Sequence, residues 1–431
     1  MNEDDSTRKF KNEASRLDRN DPLNRFRLRF HVPPGTIYLD GNSLGLLSKD
    51  AERAVNGTLA DWRGLGVRGW LEADPPWFTL AEEMGARCAR LVGADADEVV
   101  MSGTTTVNIH SLANTFYRPS GARTKIIADE LDFPTDIYAL KSLLRLRGLD
   151  PAAHLVLVRS GDGRTIDEED VVREMDASTA LVFLPSVLYR SGQLLDMERL
   201  VREAHRKDIP IGFDCSHSAG AVPHELSSWG VDFALWCSYK YLNGGPGSTA
   251  FLYLNRRHFK SEPALAGWFG SVKERQFDMS LDFERAPNAG GWQISSPSIL
   301  SAAPLIGSLA IHEEAGITAV REKSLKMTRF LMDMTDEILG EEPYGFSIGT
   351  PREDRRRGGH VSLVHPEAMR IAEALRSRGV VPDFRPPDMV RIAPAALYNT
   401  YAELWRLVVH LKEIIEGREH ERFPRERKAI S

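Results

Sequence analysis

The chain has 431 residues, 42% of them apolar and 27% charged, which is enough for two globular domains and unlike a disordered or fibrous chain. Its 55 Lys and Arg against 61 Asp and Glu leave a formal charge of -6, with no basic excess to hold a nucleic acid or an anionic membrane, so a small molecule is the expected partner. Three cysteines, Cys88, Cys215 and Cys237, are odd in number and lack CxxC spacing, which speaks against a disulfide framework or a zinc knuckle and for reduced thiols. Met1 to Asn24 is charged and lacks the apolar stretch of a signal peptide, and no run of about 18 apolar residues follows, so a cytoplasmic protein is expected.

Residues 1–35 read as a charged leader. The turn-rich segment Tyr38-Leu39-Asp40-Gly41-Asn42-Ser43-Leu44-Gly45 opens a large domain, 36–295, and suits a loop that approaches other groups closely. Helical spacing follows over Asp50 to Trp62 and Phe78 to Val92. From Val99 to Leu254 short apolar runs alternate with amphipathic segments, the pattern of a mostly parallel sheet with crossover helices. The expected strands are Lys125 to Ala128, His154 to Val158, Ala180 to Leu184, Ile211 to Phe213, Ala234 to Cys237 and Ala250 to Tyr253. Helices are expected at Thr135 to Arg147, Glu168 to Met175 and Met197 to Lys207. Long helices, Ile299 to Glu314 and Ala319 to Leu339, then strands near His360 to Val364 and Met389 to Ile392, mark a smaller α+β domain, 296–431. Arg352 to Arg357 reads as a solvated loop.

Chemistry concentrates where buried strands end. Asp214 closes the run Ile211-Gly212-Phe213, and Lys240 lies just past Ala234-Leu235-Trp236-Cys237, at the carboxyl ends where open α/β sheets receive ligands. A lysine there suits Schiff-base chemistry with an aldehyde cofactor, and a nearby Asp suits a protonated pyridine nitrogen. Spacing alone fits a structural ion pair equally well. Gly103-Thr104-Thr105-Thr106 follows a strand and opens a helix, so its N–H groups and hydroxyls suit a phosphate, although plain N-caps have the same look. Phe133 ends another strand and suits either ring stacking or a core. Asp214, His217 and His224 are metal-ligand types without a supporting cluster, and no metal is expected.

These segments resemble one family. Asp214-Cys215-Ser216-His217-Ser218-Ala219-Gly220, Trp229-Gly230-Val231-Asp232-Phe233-Ala234 and Trp236-Cys237-Ser238-Tyr239-Lys240-Tyr241-Leu242-Asn243 are similar to kynureninases, fold-type I pyridoxal-phosphate hydrolases related to class V aminotransferases. The likeness continues in Gly41-Asn42-Ser43-Leu44-Gly45, Thr106-Val107-Asn108-Ile109-His110, Gly267-Trp268-Phe269-Gly270, Arg391-Ile392-Ala393-Pro394 and Leu397-Tyr398-Asn399, so it spans nearly the whole chain. It implies pyridoxal 5'-phosphate as cofactor, Lys240 as the Schiff-base lysine and Asp214 as partner of the ring nitrogen. It further implies phosphate contacts from Thr105 and Thr106, stacking by Phe133, and cofactor contacts from Asp136, His217 and Tyr239. Trp268 and Ser296 match positions that reach the phosphate from a neighbouring subunit, which implies a homodimer with shared sites. Arg391 matches the arginine that pairs with the substrate α-carboxylate, and Asn42 and Trp70 fall to the substrate side.

The implied reaction is hydrolysis of the Cβ–Cγ bond of L-kynurenine to anthranilate and L-alanine, a step of tryptophan catabolism and the kynurenine pathway towards NAD. Lys240 would carry the Cα proton and Tyr239 would relay another. Trp70 and Ser296 stand where relatives favouring 3-hydroxykynurenine carry histidine and asparagine, so L-kynurenine is the expected preference. Two departures stand out: Pro185 replaces a hydroxyl residue, with Ser186 adjacent, and Ser296 replaces an Asn or a Thr. An aminotransferase or a cysteine desulfurase would share Asp214 and Lys240, but a desulfurase needs a loop cysteine. A silent binding protein would not need Lys240.

Overall fold

A computed structural model describes residues 5–426. Seven strands form the main sheet: β1 (Val99–Met101), β2 (Lys125–Asp129), β3 (Leu155–Val158), β4 (Thr179–Pro185), β5 (Ile211–Asp214), β6 (Phe233–Trp236) and β7 (Phe251–Leu254). Their order is β1-β7-β6-β5-β4-β2-β3, and β7 alone runs against its neighbours β1 and β6. The strands are near-continuous apolar runs because helices cover the sheet on both faces, so Leu181 to Leu184 and Phe233 to Trp236 are buried throughout. The expected limits agree closely, except that Pro151–His154 makes a helical turn capped by the Asp150 side chain and β3 begins only at Leu155.

Register sets up the site. Pro185 pairs with Asp214, and Asp214 with Leu235, so the exits of β4, β5 and β6 sit side by side. Helices Thr105–Phe116 and Pro134–Leu146 start just after β1 and β2, which brings their N-termini to the same edge.

The second sheet has β8 (Ser347–Ile348), β9 (Val361–Val364), β10 (Asp383–Arg385) and β11 (Met389–Ile392) in the order β10-β11-β9-β8, all antiparallel. Its core includes Leu331, Ile371, Leu404 and Leu411, from three helices that cover it. Helix Ile299–Ala315 instead sends Ala302, Leu305 and Leu309 into the large core, so the two cores divide after this helix and not at Ser296. Gly307 permits its contact with helix Lys49–Leu65, since a Cβ there would come within 2.2 Å of the Asp50 backbone.

The leader is not a free tail. Helix Asp5–Arg19 buries Phe10 and Ala14 in the small core, with Phe10 edge-on to Phe330 at 5.8 Å. The Asp18 carboxylate accepts from Tyr401 N (2.7 Å) and Ala402 N (3.0 Å) at the start of helix Tyr401–Glu416. Phe10, Ala14 and Leu17 repeat at helical spacing, a stripe outnumbered by the charges around it. The expectation of a solvated loop also fails at Arg357: its guanidinium is fully buried, 2.5 Å from Asp354 and bonded to Thr328 Oγ1 at 3.0 Å.

Lys323 ties the leader to the C-terminal half. Its buried ammonium lies 2.7 Å from Asp21 and donates to the carbonyls of Ala396 (2.6 Å) and Asn399 (2.9 Å). Lys323→Ala strands a buried carboxylate and two carbonyls, so chemical denaturation should show a loss of about 3–5 kcal/mol. A loss under about 1 kcal/mol would mean that water replaces the ammonium freely.

Candidate active site

A cavity of ≈ 280 Å³ opens at the carboxyl edge of the main sheet, and most residues singled out in the sequence line it. Asp214, at the end of β5, is almost fully buried, and its Oδ1 accepts from Ser216 N at 2.7 Å. Burial pushes its carboxyl up, while Lys240 and the Ser216 bond pull it down. Lys240 reaches in from beyond β6, and its Nζ lies 2.9 Å from His217 Nε2. Burial, with the charges of Lys240 and Arg391, holds His217 neutral, so Nε2 accepts from the ammonium and Nδ1 carries the ring proton. That Nδ1 has no partner among the described residues.

The rim carries groups suited to a flat anionic ligand. Phe133, half exposed, caps helix Pro134–Leu146 and meets Tyr189 edge-on at 5.3 Å, with Lys240 Nζ 6.0 Å from its ring centre. Thr105 and Thr106 begin helix Thr105–Phe116, and Thr106 Oγ1 lies 2.9 Å from Thr135 Oγ1, so two helix N-termini share one patch of hydroxyls and free N–H groups. Asn42 is fully buried on the wall, and neither its amide nitrogen nor its oxygen has a protein partner. Tyr239 lines the cavity beside Lys240. Orphaned polar atoms, an aromatic face, a lysine and an anion-binding edge together fit a phosphorylated ring aldehyde.

Arg391, on β11, supplies the opposite wall. It is 1% exposed, donates to the Tyr189 carbonyl at 2.6 Å and Ser43 Oγ at 3.1 Å, and is ion-paired with Asp383, its neighbour across the β10–β11 ladder. Its Nε has no protein partner, so the fork is held in place with a donor to spare.

Four expected residues lie elsewhere. Asp136 is buried in helix Pro134–Leu146 and does not line the cavity; burial and the nearby Asp214 push it well above the ordinary carboxylate range, against the pull of an Asp132 hydrogen bond and Lys240. Trp70, Trp268 and Ser296 gather on the outer surface. Trp70 packs on Phe269 at 5.9 Å, Trp268 on Phe269 at 5.7 Å, and Gly267 lies against the Ile294 carbonyl, two residues before Ser296. The Trp268 indole N–H donates to Gln276 O at 3.1 Å. Trp62, Val67 and Leu300 are exposed around an apolar cleft of ≈ 840 Å³ that Trp70 and Trp77 help to line. Tyr189, just beyond β4, and Arg385 line the cavity unannounced; only the strand-end rule pointed towards Tyr189. Ser186 does not stand in for the hydroxyl lost at Pro185: its own is fully buried, turned to the Asp214 carbonyl and Ser218.

A family model for the kynureninase C-terminal domain matches residues 320–411. Kynureninases of Geobacillus thermodenitrificans and Bacillus anthracis are 54% and 53% identical over 418 residues, 97% of this chain and 97% of each relative. The chain belongs to the kynureninase family. A solved cysteine desulfurase from Thermococcus onnurineus NA1 matches with TM-score 0.76 at 20% identity, over 91% of this chain and 98% of that one. A C-DES mutant with glycine covalently linked to its PLP cofactor also matches at 0.76, with 16% identity over 89% and 98%. The α/β architecture is therefore that of the fold-type I PLP enzymes, as expected. Unlike a kynureninase, a desulfurase needs an accessible thiolate, and here all three cysteines are buried, with the thiols of Cys88 and Cys215 pushed up to about 12.

Asp40, beside this wall, gives a pH signature. Burial and the nearby Asp383 raise its carboxyl to about 6, against the pull of Ser43, Arg391 and Arg385. The folded state thus binds more protons than the unfolded one between pH about 4 and 6, and Asp40 lowers stability as pH rises through that window. Asp40→Asn removes the penalty, so stability relative to the parent should climb by about 3 kcal/mol across it. A difference that stays flat from pH about 4 to 7 contradicts the assignment.

Proposed function

We propose that this chain is a pyridoxal-phosphate kynureninase that hydrolyses the Cβ–Cγ bond of L-kynurenine to anthranilate and L-alanine in the cytoplasm. The observation that carries the reading is one cavity, in a chain of this family, bounded by Lys240, Asp214 and Arg391. The cofactor, when bound, supplies an aldehyde that captures amines and a protonated ring that draws electrons from the substrate's Cα.

The chain's own groups divide the remaining work. Lys240 would hold the aldehyde and would move the proton at Cα. Asp214 keeps the ring nitrogen protonated. Phe133 supports the ring face, while Thr105, Thr106 and two helix N-termini hold the phosphate. His217 would complete the surroundings at the cavity, with Asp136, raised well above the ordinary carboxylate range by burial and by Asp214, buried behind it. Arg391 takes the substrate α-carboxylate through its fork, with Asn42 beside it. The Tyr239 hydroxyl, raised by burial, stays protonated and can relay a proton to the carbonyl that water attacks.

Incubation with L-kynurenine should release anthranilate, read by its fluorescence, and alanine, with kcat/KM higher than for 3-hydroxykynurenine. Lys240→Ala should abolish both turnover and the visible band of bound cofactor. Cleavage by that variant refutes the lysine's role, and equal use of both substrates refutes the preference read from Trp70 and Ser296.

The same proposal includes a homodimer, because exposed Trp268 and Ser296, with half-buried Trp70 joined to Trp268 through Phe269, lie outside their own chain's cavity, and a second copy is the natural cover for them. Contact of Trp268 with a partner's phosphate would release its indole N–H from Gln276. Mixed under subunit exchange, inactive Lys240→Ala and Trp268→Ala chains should regain activity. An active monomer in light scattering would end this idea.

A further inference from the structure

Behind Asp214, away from the cavity, three fully or almost fully buried polar side chains stand in file. His224 Nε2 lies 2.7 Å from Ser218 Oγ, Ser218 Oγ lies 2.7 Å from Ser186 Oγ, and Ser186 Oγ lies 3.1 Å from the Asp214 carbonyl oxygen. The Ser186 backbone N–H donates to the same oxygen at 2.8 Å.

Proton count sets the direction of the file. The Asp214 carbonyl can only accept, so Ser186 gives it a hydroxyl proton. Ser186 then accepts from Ser218. Having given its proton, Ser218 accepts from the N–H at Nε2 of His224, which burial and the Arg321 charge keep neutral, lowered to about 4. A longer contact from Ser218 Oγ to the Cys215 carbonyl, 3.1 Å, is the competing use of that proton.

The file holds the turn that carries the chemistry. Ser218 N donates to Cys215 O at 3.0 Å, and Ser216 N, inside the same turn, is the donor that orients the Asp214 carboxylate. His217 is the residue before Ser218. The exit of β4 and the exit of β5 are thereby locked together one layer behind both cavity residues. A buried hydroxyl chain is high-stakes: complete, it fixes one geometry, and a missing link leaves a neighbour unpaired.

We propose that Ser186, Ser218 and His224 are positioning residues, which hold the Asp214 carboxylate and the His217 ring in the orientation that receives the cofactor. The inference rests on Asp214 being the ring-nitrogen partner.

The test is a titration of apoprotein with pyridoxal phosphate, followed by intrinsic fluorescence and the visible band, beside thermal unfolding of the apoprotein. Ser218→Ala should weaken cofactor binding about tenfold, the worth of one buried hydrogen bond, and shift the pH at which the visible band changes. His224→Phe, which keeps a ring but no donor, should do the same, and His224→Gln, which restores an N–H, should recover most of the affinity. Ser186→Ala is the milder variant, because its backbone N–H still holds Asp214, and it serves if the others fold poorly. Unchanged affinity and band in a folded Ser218→Ala protein overturns the proposal, as does an affinity loss that merely follows unfolding temperature, with His224→Gln no better than His224→Phe. Asp214→Asn separates the two failures: if it leaves band and affinity intact, the reading of Asp214 has failed, whatever the serines do.

Discussion

A carboxylate removed from water at the end of one strand, facing a lysine beyond the next, is the constraint around which the site is arranged. Parallel pairing of β5 with β6 puts Asp214 beside Leu235, and the chain needs only a few more residues to bring Lys240 back over it. Such a pair is poor value for stability alone, since desolvation of both groups offsets most of their attraction. What it gives is a fixed local field. His217 is kept neutral by that field and by burial, and can therefore hold the lysine through a lone pair without repelling it.

The same field reaches below the cavity. Asp129, Asp132 and Asp136 are buried, and burial raises all three: Asp129, with Glu130 beside it, to about 7, and Asp132 and Asp136, which also feel neighbouring carboxylates including Asp214, well beyond the ordinary carboxylate range. One cation cannot balance four carboxylates in a medium of low polarisability, so protons make up the difference. Asp214 keeps its charge more readily than its neighbours because Lys240 and Ser216 address it directly. Asp214 thus stands at the cavity with the more strongly raised carboxyls of Asp132 and Asp136 behind it.

How much of this was legible depends on whether the signal was local. Apolar runs without alternation gave away the buried strands of the main sheet, and Asp214 and Lys240 were readable because a charge at the end of such a run is costly without a use. The leader helix was hidden, since Phe10 and Ala14 are few among charges and the partner they pack against lies about 320 residues away. Arg357 looked like one member of a solvated cluster because, although Asp354 is only three residues away, the Thr328 hydroxyl that it meets in the interior lies 29 residues off, a matter of tertiary packing. Ser186 was noted only as adjacent to Pro185, and adjacency says little about where its hydroxyl points, since strand alternation turns consecutive residues to opposite faces. Trp268 and Ser296 were noticed by motif and read as reaching a neighbouring subunit, whereas Trp70 was read as a substrate contact, and the motif alone did not tell that it lies outside its own chain's cavity.

The site is also a seam between the two cores. Lys240, Asp214 and Phe133 belong to the main sheet, while Arg391 and Arg385 come from the small one. Between them runs the Asp40 to Gly45 loop, fastened on one side by pairing of Ile37–Tyr38 with Val380–Val381 and by Ala393 N to Leu39 O, and on the other by Gly45 N to Tyr239 O at 2.7 Å. A Cβ at Gly45 would come within 2.4 Å of the Lys240 carbonyl oxygen, so only glycine permits this approach. Arg391 in turn crosses the seam to the Tyr189 carbonyl beyond β4. The distance between the lysine end of the cavity and its arginine end is therefore set by backbone contacts, including one position where a side chain is forbidden. A substrate bridging the two ends meets a spacing that flexible side chains do not have to find anew each time.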